Sequence, residues 1–443
     1  MYRSTAAILL VAAAAARADD WPQWMGPTRD GQWKETGILE KFSAGGPKKL
    51  WSVEIGGGYA GPAVANGKVY VTDYQATEGG RGNNPNAATK REGKERVLCL
   101  DAATGKELWK HEYDCPYAVS YAAGPRCTPT VADGKVYALG TMGDLRVLDA
   151  DKGTLLWSKD FKKDYKSKTP MWGFTGHPLV YKNLVICLVG GESLLVAFDK
   201  DTGKEAWKSL TPPGEANPGY CPPTLIEAGG TKQLVIWHPK KIVSVNPDDG
   251  KKYWDVDLEA AFGMSIMGPR QAGDYLFAGG IGYACVVVKL ATDRPAAEEV
   301  WRGKRETGVY PVNSTPIIDD GVIYAVDQPG SLRAVKLETG ERLWGTQKPV
   351  TGKDEKDERP VNSGTAFLVK NGPRYFLFGE TGHLIIAMLT PKGYEEIDRA
   401  KILDPTNDAF GSRPVVWSHP AFANKCVYAR NDKEIVCYSL AAE

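Results

Sequence analysis

Gly61-Pro-Ala-Val-Ala-Asn-Gly-Lys-Val-Tyr-Val71, followed by Val97-Leu-Cys-Leu-Asp-Ala-Ala-Thr-Gly-Lys-Glu-Leu-Trp109, is a phrase that returns along the chain. Its second form is Thr128-Pro-Thr-Val-Ala-Asp-Gly-Lys-Val-Tyr-Ala138, then Leu145-Arg-Val-Leu-Asp-Ala-Asp-Lys-Gly-Thr-Leu-Leu-Trp157. Later copies end at Trp207, Trp254, Trp301 and Trp344, at intervals of 43 to 50 residues. A degraded copy runs from about Val361 to Ile397, and a last one begins at Ser418. Each copy reads as four short strands: x-Pro and an apolar run (A), an Asn/Asp-Gly turn into Lys-Val-Tyr-Val (B), a Gly-rich turn into Leu-x-x-Leu-Asp (C), and a Thr-Gly turn into a strand ending in Trp (D). Alternation, β-branched content and dense turn signals favour strands over helices. Four strands at this period predict the blade of a β-propeller.

The last copy lacks a fourth strand, and Lys49-Leu-Trp51-Ser-Val-Glu-Ile55 has the form of a strand D without its predecessors. The expectation is therefore an all-β, eight-bladed propeller of four-stranded antiparallel blades, closed by residues 48–55 joining the C-terminal blade. Closure removes two exposed sheet edges. Gly precedes Trp by four residues at Gly105, Gly153, Gly203, Gly250 and Gly340, and Asp101, Asp149 and Asp199 stand four residues earlier, placed to cap the turn. Trp51, Trp109, Trp157, Trp207, Trp254, Trp301 and Trp344 then occupy one repeated place, suited to wedging between neighbouring blades rather than to caging a sugar.

The 443 residues carry 55 basic and 54 acidic side chains, so there is no positive excess to neutralise phosphates and nucleic acid is not an expected partner. Apolar residues are 42 %, enough for a large core, and after residue 18 no run is long enough to span a membrane. The start reads as an export leader: Arg3, an apolar run from Ala6 to Ala16, and Ala16-Arg17-Ala18 as a small-x-small cleavage site before Asp19. Residues 1–18 are thus read as a signal peptide, 19–47 as an N-terminal extension with a solvated acidic start, and 48–443 as the propeller. A periplasmic or secreted location follows, and no Cys stands at the cleavage point to carry a lipid. In an oxidising compartment Cys426 and Cys437 are a candidate disulfide, facing each other across a turn at Asn431-Asp432, with Cys115 and Cys127 second. Cys99, Cys187 and Cys285 read as buried thiols.

The phrase Leu-Asp-Ala-x-Thr-Gly-Lys-x-x-Trp, at 100–109 and approximately at 148–157 and 198–207, resembles the quinoprotein-type, PQQ-like repeat, and the resemblance spans roughly residues 48–440. That family includes quinone-dependent dehydrogenases and the noncatalytic assembly factor BamB. The opening Trp21-Pro-Gln-Trp-Met-Gly-Pro also looks like exported propellers of planctomycete type. Two departures stand out. The dehydrogenases of this fold carry adjacent cysteines over the cofactor, and none are adjacent here. Their calcium ligands (Glu and Asn) and catalytic Asp have no unique match in this chain.

Topology puts the D-to-A and B-to-C loops on one rim. Candidate ligand-face residues precede strands A: Tyr59, Arg126, Thr175, His177, Tyr220, Asn313, Asn362, Trp417 and His419. Asp73, Asp144, Glu192, His238, Asp327 and Glu380 come from B-to-C turns. Arg126 could hold a carboxylate or an o-quinone, and an inter-blade ion pair or a hydrogen bond to a loop carbonyl is the favoured reading. Asn313-Ser and Asn362-Ser could present carbonyls to a hard cation or be polar turns. His177 and His419 fall in distant blades, which speaks against a shared metal, and no metal site is assigned. The blade 1 insertion, 75–96, is either a lid or a surface extension, and 353–359 is a solvated charged link. No hydrolase or nucleotide motif occurs.

These readings give an exported binding or scaffold propeller, contacting a protein or small ligand at its rim, with no assigned catalysis or cofactor. The alternatives are a divergent PQQ- and calcium-dependent dehydrogenase, and a BamB-like role in envelope assembly.

Overall fold

The computed structural model describes residues 19–78, 87–211, 217–353, 360–409 and 413–442. Eight antiparallel sheets succeed one another around a ring. Blade 1 contains Ala63–Ala65, Lys68–Glu78, Thr89–Asp101 and Glu107–Asp114. Blades 2 to 7 repeat this order up to Gly393–Lys401. Blade 8 takes its first three strands, Ala421–Ala423, Cys426–Arg430 and Glu434–Ser439, from the C-terminus and its fourth, Lys48–Glu54, from the N-terminus. The ring closes as the tryptophan-ended repeat predicts.

Local chemistry sets these elements. Asn66-Gly67 and Asp133-Gly134 both take positive φ at two successive positions, the mirror-image turn that joins strands A and B without splaying them. Asp101 accepts from the Thr104 amide at 2.8 Å and its hydroxyl at 2.7 Å, and Asp149 and Asp199 bind their turns in the same way. Middle strands such as Leu184–Gly190 are buried along their whole length, because both faces pack on neighbouring blades. Outer strands such as Glu107–Asp114 alternate between exposed and half-buried.

The repeated tryptophans bridge blades. Trp51, Trp109 and Trp157 donate their indole N–H to the carbonyls of Ala102, Ala150 and Lys200 in the next blade, at 3.0, 3.1 and 3.1 Å. Trp301 and Trp344 do the same to Leu337 and Thr390, at 2.7 and 2.8 Å. Each of Gly105, Gly153, Gly203, Gly250 and Gly340 lies under the ring of the preceding blade's tryptophan, where a Cβ would come within 2.9 Å or less. Trp207 packs on Gly250 in the same way but its indole N–H has no partner among the described residues, and Trp254 departs from the set. Its indole donates to Gln233 Oε1 in its own blade at 2.7 Å, since the next turn, Asp293-Arg294-Pro295, has no glycine to receive the ring.

One sequence expectation is corrected. The last hairpin turns at Asp432-Lys433, so Cys437 faces Tyr428 and Cys426 faces Ser439. The expected Cys426–Cys437 register is thus off by one pair, although the two buried thiols still meet. Asp19 and Asp20 at the start of the extension are half-exposed, and the segment after them packs into the ring. Trp21 bridges Val64 of blade 1, Val131 of blade 2 bonds Pro22, and Arg29 reaches the carbonyls of Pro178 and Pro223 at the entries to blades 3 and 4. Arg270 of blade 5 holds the carbonyls of Arg29 and Asp30, Lys370 of blade 7 bonds Gly31, and Trp33 packs on Phe422 of blade 8. This segment fills the central tunnel. The expected leader, most of the charged link at 353–359 and residues 79–86 of the insertion lie outside the described residues. The insertion's two arms continue strands B and C of blade 1, and Thr89–Arg91 pair with Tyr117–Val119.

Candidate functional site: a cavity at the plugged tunnel mouth

The loops entering the strands A converge above the plug. Tyr59, Arg126, Thr175, His177, Tyr220, Asn313, Asn362, Trp417 and His419 all line one cavity of about 610 Å³. Ring closure brings together residues that stand up to 360 positions apart, from Tyr59 to His419. The volume is within the range of ordinary small-molecule sites.

Trp24, from the plug, contributes to the lining together with His177 and His419. Its indole stacks on His177 (centroids 5.1 Å apart, planes at 14°) and meets His419 edge-on at 6.0 Å. The two histidines are therefore not remote: one tryptophan touches both across the narrow tunnel. Each already accepts an N–H, His177 Nδ1 from the Thr128 amide at 3.0 Å and His419 Nε2 from Trp24 Nε1 at 3.4 Å. Burial drives His177 well below the usual imidazole value, with Arg29 and His419 acting in the same direction, and burial takes His419 to about 3. Both are neutral at physiological pH. Among the described residues no cluster of three or more His, Cys, Asp or Glu is arranged to hold a metal.

Arg126 is committed to the loop carbonyls. Nε donates to Trp172 O at 2.9 Å, Nη2 to Ser120 O and Tyr121 O at 2.8 and 2.6 Å, and Nη1 to Gly124 O, while the guanidinium lies over Tyr59. Asn313, Ser314, Thr315, Asn362 and Ser363 supply neutral polar atoms on the side of blades 6 and 7. The aromatic walls are Trp24, Tyr59, Tyr121, Trp172, Tyr220, Phe262 and Trp417. Among the described residues, no carboxylate lines the cavity.

The rim carboxylates are engaged elsewhere. Asp73 pairs with Arg96, Asp327 with Arg333, and Glu380 with Arg413, while Trp417 also donates to Glu380 at 2.9 Å. Burial raises the Glu380 carboxyl above its usual value, against the pull of Arg413. Glu192 is a surface partner of Lys166, so it forms no pair with Glu380. Asp144 stands apart: burial, reinforced by Glu95, raises its carboxyl from 3.8 to about 6. A raised acid favours the protonated fold. Its contribution to stability is fully present below about pH 4 and is lost as pH rises through about 6. Asp144→Asn is expected to stabilise the protein by about 2 kcal/mol near neutral pH and to flatten the stability profile across that window. Urea melts of both proteins along a pH series check this, and parallel profiles would refute it.

Sequence reasoning missed Trp24, Tyr121, Met171, Trp172 and Phe262. A signal existed for two of them, Trp24 and Trp172. The chain has 13 tryptophans. The repeat explains the blade-end set, whereas Trp24, Trp172 and Trp417 fall outside that place and all line the cavity. Phe262 carries a left-handed backbone (φ 57°) and is 79 % exposed, which no pattern announces.

Comparison with known proteins matches this geometry to one fold and two kinds of relative. The quinohemoprotein alcohol dehydrogenase ADH IIB of Pseudomonas putida is 37 % identical over 150 residues, 31 % of this chain and 21 % of that protein. The outer membrane protein assembly factor BamB of Shewanella oneidensis is 25 % identical over 231 residues, 49 % of this chain and 56 % of the relative. The chain therefore spans little more than half, or less, of these relatives' lengths. The crystal structure of quinohemoprotein alcohol dehydrogenase from Comamonas testosteroni superposes with a TM-score of 0.60 at 14 % identity, covering 97 % of this chain and 82 % of that one, a likeness of fold. A family profile matches residues 35–158, 93–346 and 240–443, nearly the whole ring. The chain belongs to the PQQ-like propeller family described as outer membrane protein assembly factor BamB.

Proposed function

We propose that this protein is an exported binding propeller whose rim cavity takes a small uncharged ligand with flat faces. One observation carries the reading: a cavity of about 610 Å³ walled by aromatic rings and neutral amide and hydroxyl groups, with no carboxylate among the described lining residues. Ring faces stack on flat apolar surfaces, and the asparagine and serine groups satisfy polar edges. A charged ligand finds no matching charge there, because the Arg126 donors already hold backbone carbonyls.

Some relatives are named quinone-dependent dehydrogenases, and the aromatic walls accommodate a flat ring. The donor set does not suit a calcium-bound quinone. A hard cation calls for anionic or multiple oxygen ligands, and abstraction of a substrate proton calls for a base. Glu380, the carboxylate behind Trp417, is held by Arg413, and both lining histidines have a nitrogen occupied. No step is derived through that cofactor.

Fluorescence titration tests the reading. N-phenyl-1-naphthylamine, a neutral aromatic dye, is expected to bind saturably at one site, and Trp172→Ala to weaken it about tenfold. PQQ is expected to show no calcium-dependent stoichiometric binding and no dye-linked alcohol oxidation. Tight quinone binding that requires calcium would replace this function with the dehydrogenase one.

The role in the family's name, contact with partner proteins, has its own support at the cavity mouth. Met171 and Phe262 are 52 % and 79 % exposed there. Exposed apolar side chains grouped at a rim suit a protein contact. Phe262→Asp is expected to abolish a rim-docked protein contact, and pull-down with the variant against the unaltered protein checks it.

A further inference from the structure

Beneath the cavity, the plug contains a buried acid that no cation pairs with among the described residues. Glu35 is 8 % exposed. Its Oε2 accepts from Trp33 Nε1 and from the Lys425 amide, both at 2.9 Å. Its Oε1 faces the backbone nitrogen of Asp19 at 3.3 Å. Among the described residues, no lysine or arginine side chain forms an ion pair with it, unlike Asp73, Asp327 and Glu380. A carboxylate removed from water and met only by neutral N–H groups is poorly compensated. The position makes the deficit informative. Glu35 ties three segments together: the start of the described chain at Asp19, the tunnel plug at Trp33, and the hairpin of blade 8 at Lys425.

The chemical nature of the Asp19 nitrogen depends on the bond before it. While Ala18–Asp19 is intact, it is a neutral peptide N–H. Ala16-Arg17-Ala18 is a small-x-small site ending at that bond. Hydrolysis by a signal peptidase consumes one water: the C–N bond breaks, hydroxide adds to the Ala18 carbonyl carbon to leave a carboxylate, and Asp19 leaves as an amine. An α-amino group of ordinary pKa, about 8, is protonated at neutral pH.

We propose that Ala18–Asp19 is a processing site and that the α-ammonium freed there is the counter-charge of Glu35. Leader removal then converts a weak contact into an ion pair that fastens the plug to the ring. The chain folds with its tunnel seal fully fixed only after export has cut it. The inference rests on the export part of the proposed function and is independent of what the cavity binds.

Two measurements test it. The full gene, with its leader, is expressed in a Gram-negative host and the exported product is sequenced from its N-terminus. Asp19 is the expected first residue, and any other start overturns the processing site. Thermal unfolding is then compared between that product and a chain bearing two extra residues, Gly-Ser, before Asp19, each also as Glu35→Gln. The extension is expected to lower the midpoint by about 2–4 °C with Glu35 present and to have no effect in Glu35→Gln. Equal midpoints for the two Glu35 chains, or the same drop in both backgrounds, would overturn the ion pair. Dye binding in the cavity is measured on the same samples. Its loss without any change in the melting pattern would count against the ligand reading alone.

Discussion

Gly203→Val is expected to destabilise the propeller by about 3–5 kcal/mol. Two costs add. The backbone at Gly203 has φ 70°, a conformation that a side chain enters at about 1–2 kcal/mol and a β-branched one at more. A Cβ there would also lie 2.6 Å from the Trp157 ring, and overpacking of this kind costs about 1–3 kcal/mol. Gly134 separates the two costs: its φ is 73°, but nothing lies within 4 Å of a Cβ, so Gly134→Ala should lose only about 1 kcal/mol. Trp157→Ala, which removes the ring, should itself cost about 3–5 kcal/mol. In the double variant Gly203→Val with Trp157→Ala the losses should fall short of their sum by about 1–3 kcal/mol. Denaturant unfolding of the four proteins measures this. Simple additivity would show that the glycine is required by its backbone alone and not by the neighbouring blade.

Arg29→Ala is expected to destabilise by about 3 kcal/mol and to release the N-terminal segment from the tunnel. The guanidinium is buried at the ring's centre, donates to Pro223 O at 3.1 Å and to Pro178 O, and takes Gln23 Oε1 at 2.8 Å. Burial lowers it to about 10, so it remains a cation at neutral pH, and no carboxylate among the described residues pairs with it. Truncation strands the Pro223 carbonyl, leaves Pro178 O with Thr130 Oγ1 alone and opens a void, and those losses exceed what is regained by no longer burying a charge. Trp24 sits five residues before Arg29 on the same segment, so dye binding should weaken along with stability. Thermal unfolding, together with tryptic cleavage at Lys34 and Lys41, reads both outcomes. Wild-type stability with slow cleavage would mean that the plug is held without Arg29.

The ring was legible because its rules are local and repeated. Asn66-Gly67 and Asp133-Gly134 specify their turns by backbone preference alone. The four-residue step from Gly153 to Trp157 is set by turn and strand geometry. Trp51 needed no contact information either, because a strand D without its own A, B and C has only one vacancy to fill. Where local chemistry was ambiguous, the reading stopped short. The Cys426–Cys437 register failed because Asn431-Asp432-Lys433-Glu434 offers two adjacent turn centres, and Asn431 caps the later one through the Lys433 and Glu434 amides at 2.8 Å. Trp254 obeyed the spacing but not the docking, since the place for its ring belongs to the following blade.

The candidate site divides in the same way. Residues just before each strand A were identifiable as one rim, because strand direction in an antiparallel blade fixes the end at which a loop emerges. That they enclose a cavity, and that its aromatic walls include Trp24 and Trp172, was not.

By itself, then, the amino-acid sequence determined the number of blades, their order, the closing strand and the rim, each of which follows from periodicity and backbone preference within about 50 residues. Only the tertiary structure decided that residues 21–33 plug the tunnel, that Arg126 is bound to carbonyls and not free for a ligand, and that His177 and His419 meet across one indole. Those outcomes depend on distances across the ring, and no local pattern encodes a contact whose partners are brought together only when the circle closes.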